Sequence, residues 1–400
     1  MDTRYNKSHQ SGRLKGEMSM KFKNLLTCVA VASMMVGCSN SGTKSSANGT
    51  VKAPKFGFIG PLTGDASQYG TAVKNALKLA IKEYNKAHGT KITAVYYDDK
   101  ADATEAVNAY NKLVDEDKVT AILSPVTTAS CLAVASAAKT KGTPILTPSG
   151  TGDKITMDGD KAYSNVFRIC TNDSYAGTYL AKLCKTKFHY KKVAILYNKE
   201  LDYSTGLNNA FVKEAKNQNV AVKYNGAYNA NTKDFSTFIS KIKASGADSV
   251  YLPDYYETVV TITKQLRDAG INLPLFGGDG WDGVLGVKGV NAKNFENTYY
   301  VSGFDKDATT GPAKKFVDAY TKEYGSTPNM FAAMEYDALN VMMEAINTAK
   351  STDSKKICSA LAKIKVTSAA CGAFTYDKNH DPIKNMAIVT VKNGKYVTVK

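Results

Sequence analysis

The sequence predicts an α/β protein built as two doubly wound parallel-sheet lobes joined by a hinge of several strands. Apolar, strand-like runs alternate with amphipathic helical stretches from Lys55 onward, and after about Asp173 the same alternation begins again. Four hundred residues, 43% hydrophobic and 22% charged, also provide enough material for two sizeable cores.

The first series opens with the strand-like "KFGFIG", followed by a helix that aligns Val73, Leu77, Ala80, Ile81 and Tyr84 on one face. Next come "ITAVYYDD", a helix from about Ala103 to Val114, the strand "TAILSP", a helix from about Thr128 to Lys141, and "TPILTPSGT". Strands and helices of these lengths imply parallel sheet with right-handed crossovers. The second series runs helix, "KVAILYN", helix, "AVKYNGAY", helix, "SVYLPDYY", helix, "LPLFGGDG". Beyond residue 300 follow "NTYYVSGF", a helix with Ala313, Phe316, Val317 and Tyr320 in register, two further helices, and "GAFTYDKNHDP" before the last strands. No Gly/Pro/Ser-rich linker separates the halves, so several hinge crossings are expected. The expected division is 53–172 plus 306–372 for lobe 1 and 173–305 plus 373–400 for lobe 2.

The N-terminus has a different character. From Met20, "MKFKNLLTCVAVASMMVGC" places two lysines before an apolar run that ends at Gly37-Cys38, too short for an ordinary membrane span. It resembles a bacterial lipoprotein signal, which implies that 20–37 are removed and that Cys38 is lipidated. Residues 1–19 read as a non-native or untranslated extension. The stretch 38–52, rich in Ser, Gly, Asn and Thr, reads as a flexible tether with a root-mean-square span on the order of 20 Å. The expected location is extracytoplasmic, on the outer face of the cytoplasmic membrane, or periplasmic in a Gram-negative source.

The formal charge is +16, but the lysines are spread along the chain and no aromatic-interleaved RNA motif occurs, so no nucleic-acid partner is expected. A basic exterior suits a protein held near anionic lipids and cell-wall polymers. Setting aside Cys28 and Cys38 leaves Cys131, Cys170, Cys184, Cys358 and Cys371, none in zinc-ligand spacing. The odd number leaves at least one free thiol. Cys358 and Cys371 either pair or are small buried residues.

In an open parallel sheet, ligands sit beyond the carboxyl ends of the strands. The polar and aromatic oddities of this chain fall there, at "GPLTGDASQYG", "SPVTTAS", "TPSGT", "NKELDYSTG", "PDYYE" and "GGDGWDG". Enzymatic readings lack parts: His88, His189 and His380 lie outside these loops, and no nucleophile elbow, phosphate loop or dinucleotide fingerprint is present. No cofactor is expected. In "GGDGWDG", Asp279 and Asp282 lack the later glutamate that a calcium loop needs. Helix capping is the ordinary alternative for Asp279, but its glycines allow close backbone approach and leave a carboxylate free for an ammonium group.

These segments, in this order from about Lys55 to the C-terminus, resemble the branched-chain amino-acid-binding proteins of ABC transporters, the Leu/Ile/Val type with a type I periplasmic binding protein fold. The resemblance runs through "GPLTGDASQYG", "YDDKADATEAVNAYNKLVDEDKV", "SPVTTASCLAVASAA", "GTPILTPSGT", "KDFSTFISKI" and "FTYDKNHDP". It implies that Thr128, Ser149 and Thr151 hold the carboxylate of an amino acid, that Tyr203 and Tyr255 contribute hydroxyls, and that Asp279 takes the α-ammonium where the family usually has glutamate. Tyr69 stands where an aromatic packs over the ligand side chain, and Trp281 packs either on the ligand or at the hinge. The family's first-lobe disulfide has no counterpart, since Ala101 and Ala103 flank the position of one of its cysteines.

The physical logic also holds without the family. A zwitterion leaving water needs donors for its carboxylate and an anion for its ammonium, both fixed beforehand. The expected function is therefore a lipid-anchored, monomeric receptor that captures an α-amino acid between its lobes and delivers it to an ABC permease and its ATPases. The alternative is a ligand sensor that uses the same lobes without transport.

Overall fold

Residues 53–399 are described by a computed structural model. Five strands, β1 (Lys55–Gly60), β2 (Thr93–Asp98), β3 (Ala121–Ile122), β4 (Ile145–Thr147) and β5 (Val166–Arg168), form one parallel sheet in the order β2-β1-β3-β4-β5. Between successive strands run α1 (Ser67–His88), α2 (Ala103–Asp115) and α3 (Thr128–Lys141). The second sheet contains β6 (Lys192–Asn198), β7 (Ala221–Tyr228), β8 (Ser249–Tyr251), β9 (Leu275–Gly277), β10 (Thr298–Ser302), β11 (Ala387–Lys392) and β12 (Lys395–Val399). Its order is β12-β11-β10-β9-β8-β6-β7, parallel from β7 to β10 and antiparallel through the last two strands. Helices α4 (Asp173–Leu183), α5 (Asp202–Asn217), α6 (Ser236–Ala244) and α7 (Tyr256–Asp268) belong to this second series.

The helix limits follow local chemistry. Asp102 caps α2 by accepting from the N–H groups of Thr104 and Glu105, and Asn172 caps α4 by accepting from Tyr175. Gly89 and Gly142 end α1 and α3 in the left-handed conformation that glycine adopts without steric cost. The strands β1 and β6 are buried nearly throughout, as parallel strands covered on both faces must be.

Three more helices, α8 (Gly311–Tyr324), α9 (Met330–Ala349) and α10 (Ser354–Leu361), lie between β10 and β11 of the second sheet in sequence but pack with the first, α9 lying against α1. The chain thus leaves the first sheet after Arg168, returns after Ser302 and crosses again before Ala387, which gives the hinge of several strands that the sequence implied. Buried Arg168 ties the last crossing down, its Nε 2.7 Å from Asp381 Oδ1. All five cysteines of the described residues are buried and unbridged, Cys358 and Cys371 included. No helix among the described residues is long and apolar enough to cross a membrane. The extension, signal, Cys38 and tether expected within residues 1–52 lie outside the described residues.

Candidate functional site

Both sheets have their topological switch at the same end. In the first, the loops after β1 and β3 part on either side of the switch; in the second, those after β6 and β8 do. Side chains from these loops, joined by the loops after β4 and β9, enclose one small cavity. Its wall comprises Tyr69, Thr128, Ser149, Thr151, Tyr203, Tyr255 and Asp279, together with Val126, Thr127, Gly280 and Phe331. The cavity measures about 10 Å³, room for about one water molecule.

One wall is made of hydroxyls. Thr128 is the first residue of α3, and its Oγ1 lies 3.4 Å from that of Thr151. Ser149 donates to Val126 O at 2.8 Å. The loop that carries Ser149 and Thr151 is pinned from two sides. Thr147 Oγ1 donates to Pro125 O at 2.7 Å and accepts from Gly150 N–H at 2.9 Å. Arg168 donates to the carbonyls of Gly150 and Gly152, each at 3.0 Å. A hydroxyl held by a fixed loop needs little reorganisation to meet a ligand.

The opposite wall is built on "GGDGWDG". Asp279 is 5% exposed and accepts from Tyr203 Oη at 2.9 Å, while that same oxygen accepts from Gly280 N–H at 2.8 Å. Burial raises the Asp279 carboxyl to about 6, and the Tyr203 hydrogen bond opposes that rise. No lysine or arginine pairs with it among the described residues' ion pairs. The glycines serve close approach: a Cβ on Gly278 would lie 2.5 Å from Tyr203 Oη, and one on Gly277 would lie 1.9 Å from Trp281 Nε1.

Aromatic rings fill the space between the walls. Tyr69 stacks on Phe331 with centroids 4.2 Å apart, and Tyr203 stacks on Tyr255 at 5.0 Å. Tyr69 also bridges the lobes, donating to Gly280 O and accepting from Tyr256 N–H at 3.3 Å. The Tyr255 hydroxyl faces the backbone N–H of Thr128 at the start of α3.

Two residues of the glycine-rich turn stand elsewhere. Trp281 is absent from the cavity wall. It is fully buried, donates from Nε1 to Leu252 O at 2.8 Å and meets Phe295 edge-on, so its indole packs in the core away from the cavity wall. Asp282 accepts from Met330 N–H at 2.7 Å and from Tyr300 Oη at 3.2 Å, which holds the first turn of α9 to the hinge. Asp254 likewise faces inward, bonded to Tyr228 and to Tyr255 N–H.

Sequence reasoning missed Phe331, Arg168 and Asp173. Phe331 comes from a helix remote in sequence, and Arg168 read only as the end of a strand. Asp173 looked like an ordinary first-turn acid, yet it is 1% exposed beside Thr151.

Residues 53–395 match the family described as periplasmic binding protein. The chain belongs to that family. It is 30% identical over 332 residues to a Leu/Ile/Val-binding protein homolog 3 of Brucella melitensis, covering 82% of this chain and 88% of that one. It is 27% identical to the leucine-, isoleucine-, valine-, threonine- and alanine-binding protein of Pseudomonas aeruginosa, covering 83% and 87%. Among solved structures it is similar to the branched-chain amino acid transporter substrate-binding protein LivJ of Streptococcus pneumoniae in complex with isoleucine. That similarity has a TM-score of 0.80 and 31% identity, covering 87% of this chain and 100% of the other. The resemblance to the Leu/Ile/Val type and the type I fold of this periplasmic binding protein are thus established.

Proposed function

We propose that this periplasmic binding protein captures an α-amino acid between its lobes and presents it to the permease of an ABC importer, working outside the cytoplasm and held to the membrane through a lipid on Cys38. One observation carries the ligand class: three hydroxyls on one wall face a buried, unpaired carboxyl on the other, across a cavity lined by both lobes. Thr128, Ser149, Thr151 and the N–H groups at the start of α3 suit a carboxylate, which the helix N-terminus also favours. Asp279 suits an ammonium, since a charge-assisted hydrogen bond in a dry site is stronger than a neutral one. The names of the relatives point to aliphatic amino acids, and the stacked rings of Tyr69 and Phe331 offer an apolar wall to such a side chain.

A cavity of about 10 Å³ is smaller than any amino acid, so entry requires the walls to part and close again around the guest. Closure then makes the contacts that hold the ligand. The test is a thermal-shift screen of amino acids, short peptides and sugars, because a bound ligand raises the melting temperature by mass action. Amino acids should stabilise the protein, and Asp279→Ala should lose that response, with a cost of about 2–5 kcal/mol in affinity as the ammonium loses its buried counter-charge. Near-normal affinity in Asp279→Ala by calorimetry removes the assignment.

A further inference from the structure

A second buried carboxyl, that of Asp173, adjoins the cavity wall through Thr151. Asp173 opens helix α4, and neither of its carboxyl oxygens has a hydrogen-bond partner. Its own N–H donates to Thr151 O at 2.8 Å, and the Thr151 side chain is turned toward it. Helix α5 closes the far side, where a Cβ on Gly206 would lie 2.8 Å from Asp173 Oδ2, leaving no room for water there.

The groups facing Asp173 from each neighbouring element are few. Asp279 from the glycine-rich turn and Asp153 from the loop after β4 add like charge. Tyr203 from α5, Tyr251 from β8 and Tyr255 after it are neutral hydroxyls within its influence. The cation in reach is Arg168 on β5, already paired with Asp381 and hydrogen-bonded to two carbonyls of the binding loop. A buried carboxylate with only the Thr151 hydroxyl turned toward it takes up a proton to avoid the cost of its charge.

We propose that amino-acid capture is coupled to loss of a proton from Asp173: the ammonium, entering between Asp279 and Thr151, turns the Asp173 carboxylic acid into a carboxylate and sends its proton to the solvent. The ammonium keeps its own three protons, so one proton leaves for each ligand bound. This rests on the amino-acid reading above. Burial holds the Asp173 carboxyl well above the ordinary carboxylate range, whereas Asp279 at about 6 is already mostly ionised at pH 7.5. Release on binding means that affinity rises with pH, by up to about tenfold per pH unit.

The experiment is titration calorimetry of the full chain at pH 7.5 with L-leucine, L-isoleucine, L-valine, L-threonine and L-alanine, in phosphate and in Tris, whose ionisation enthalpies differ. The binding enthalpy of the tightest ligand should differ between the buffers by about one proton's ionisation heat, and Asp173→Asn should bind with the difference abolished. Equal enthalpies in the two buffers overturn the coupling while leaving the amino-acid reading intact, and a difference that persists in Asp173→Asn overturns the assignment to Asp173. Where none of the five binds, the amino-acid reading falls and the coupling with it. Should Asp173→Asn fail to fold, the wild-type affinity between pH 6.5 and 8.0 decides: a rise with pH supports the coupling and a flat profile overturns it.

Discussion

Asp279 sits in a dry turn with Tyr203 as its donor, and burial lifts its carboxyl to about 6. That rise has a thermodynamic consequence for the folded chain itself. A carboxyl whose folded pKa exceeds its unfolded value near 4 binds more protons in the folded state, so its contribution to stability falls as pH rises from about 4 to 6 and is constant above. Asp279→Asn should therefore gain stability relative to wild type across that window, by roughly 3 kcal/mol at most, with no further gain at higher pH. Denaturant melts of both proteins at pH 4, 5, 6 and 7.5 without ligand check this. Trp281, two residues on, acts through packing and its bond to Leu252 O. Trp281→Phe should cost about 1–3 kcal/mol of stability through a lost hydrogen bond and a core void, with ligand affinity nearly unchanged by calorimetry.

At the scale of elements, helix starts position much of the site. Thr128 begins α3, Phe331 lies in the first turn of α9, and Tyr69 lies in the first turn of α1. Gly70 makes the last of these workable, because a Cβ there would lie 2.0 Å from Pro61 O. Gly70→Ala should push the start of α1 off the loop after β1, lowering stability by about 1–3 kcal/mol and weakening ligand binding as Tyr69 shifts. A melting curve and a titration on the same variant check both effects. The spacing of apolar residues located the two helices given limits to within a residue: α2 was expected at 103–114 and spans Ala103–Asp115, and α3 was expected at 128–141 and spans Thr128–Lys141. The short strands β3 and β4 were legible only as longer apolar runs, since hydrogen bonding, and not hydrophobicity, decides where pairing stops.

For the whole molecule, the last crossing between the lobes rests on a buried charged pair. Arg168 is 0% exposed and spans from the first sheet to the last crossing segment through Asp381, which Asn172 Nδ2 also reaches at 2.7 Å. Removing one partner of such a pair leaves an unmatched charge in the interior. Asp381→Ala should therefore cost about 3–5 kcal/mol, read as a lower urea midpoint, and it should also loosen the binding loop that Arg168 supports. His380 beside it stacks on Phe167 at 4.0 Å, so the segment is packed as well as paired.

The sequence by itself determined the alternation of strands and helices, the repeat of that pattern, and the loops that would carry polar chemistry, because periodicity and strand ends are local properties. It also named seven of the eleven residues that surround the cavity, along with Trp281. Only the tertiary structure decided which way each side chain turns. Asp279 faces the cavity while Asp282 faces helix α9 and Trp281 the core, although the three lie within four residues. Asp173, Arg168 and Phe331 gain their places only when remote segments meet, and the burial that shifts a carboxyl is a sum over neighbours that no single stretch of chain contains.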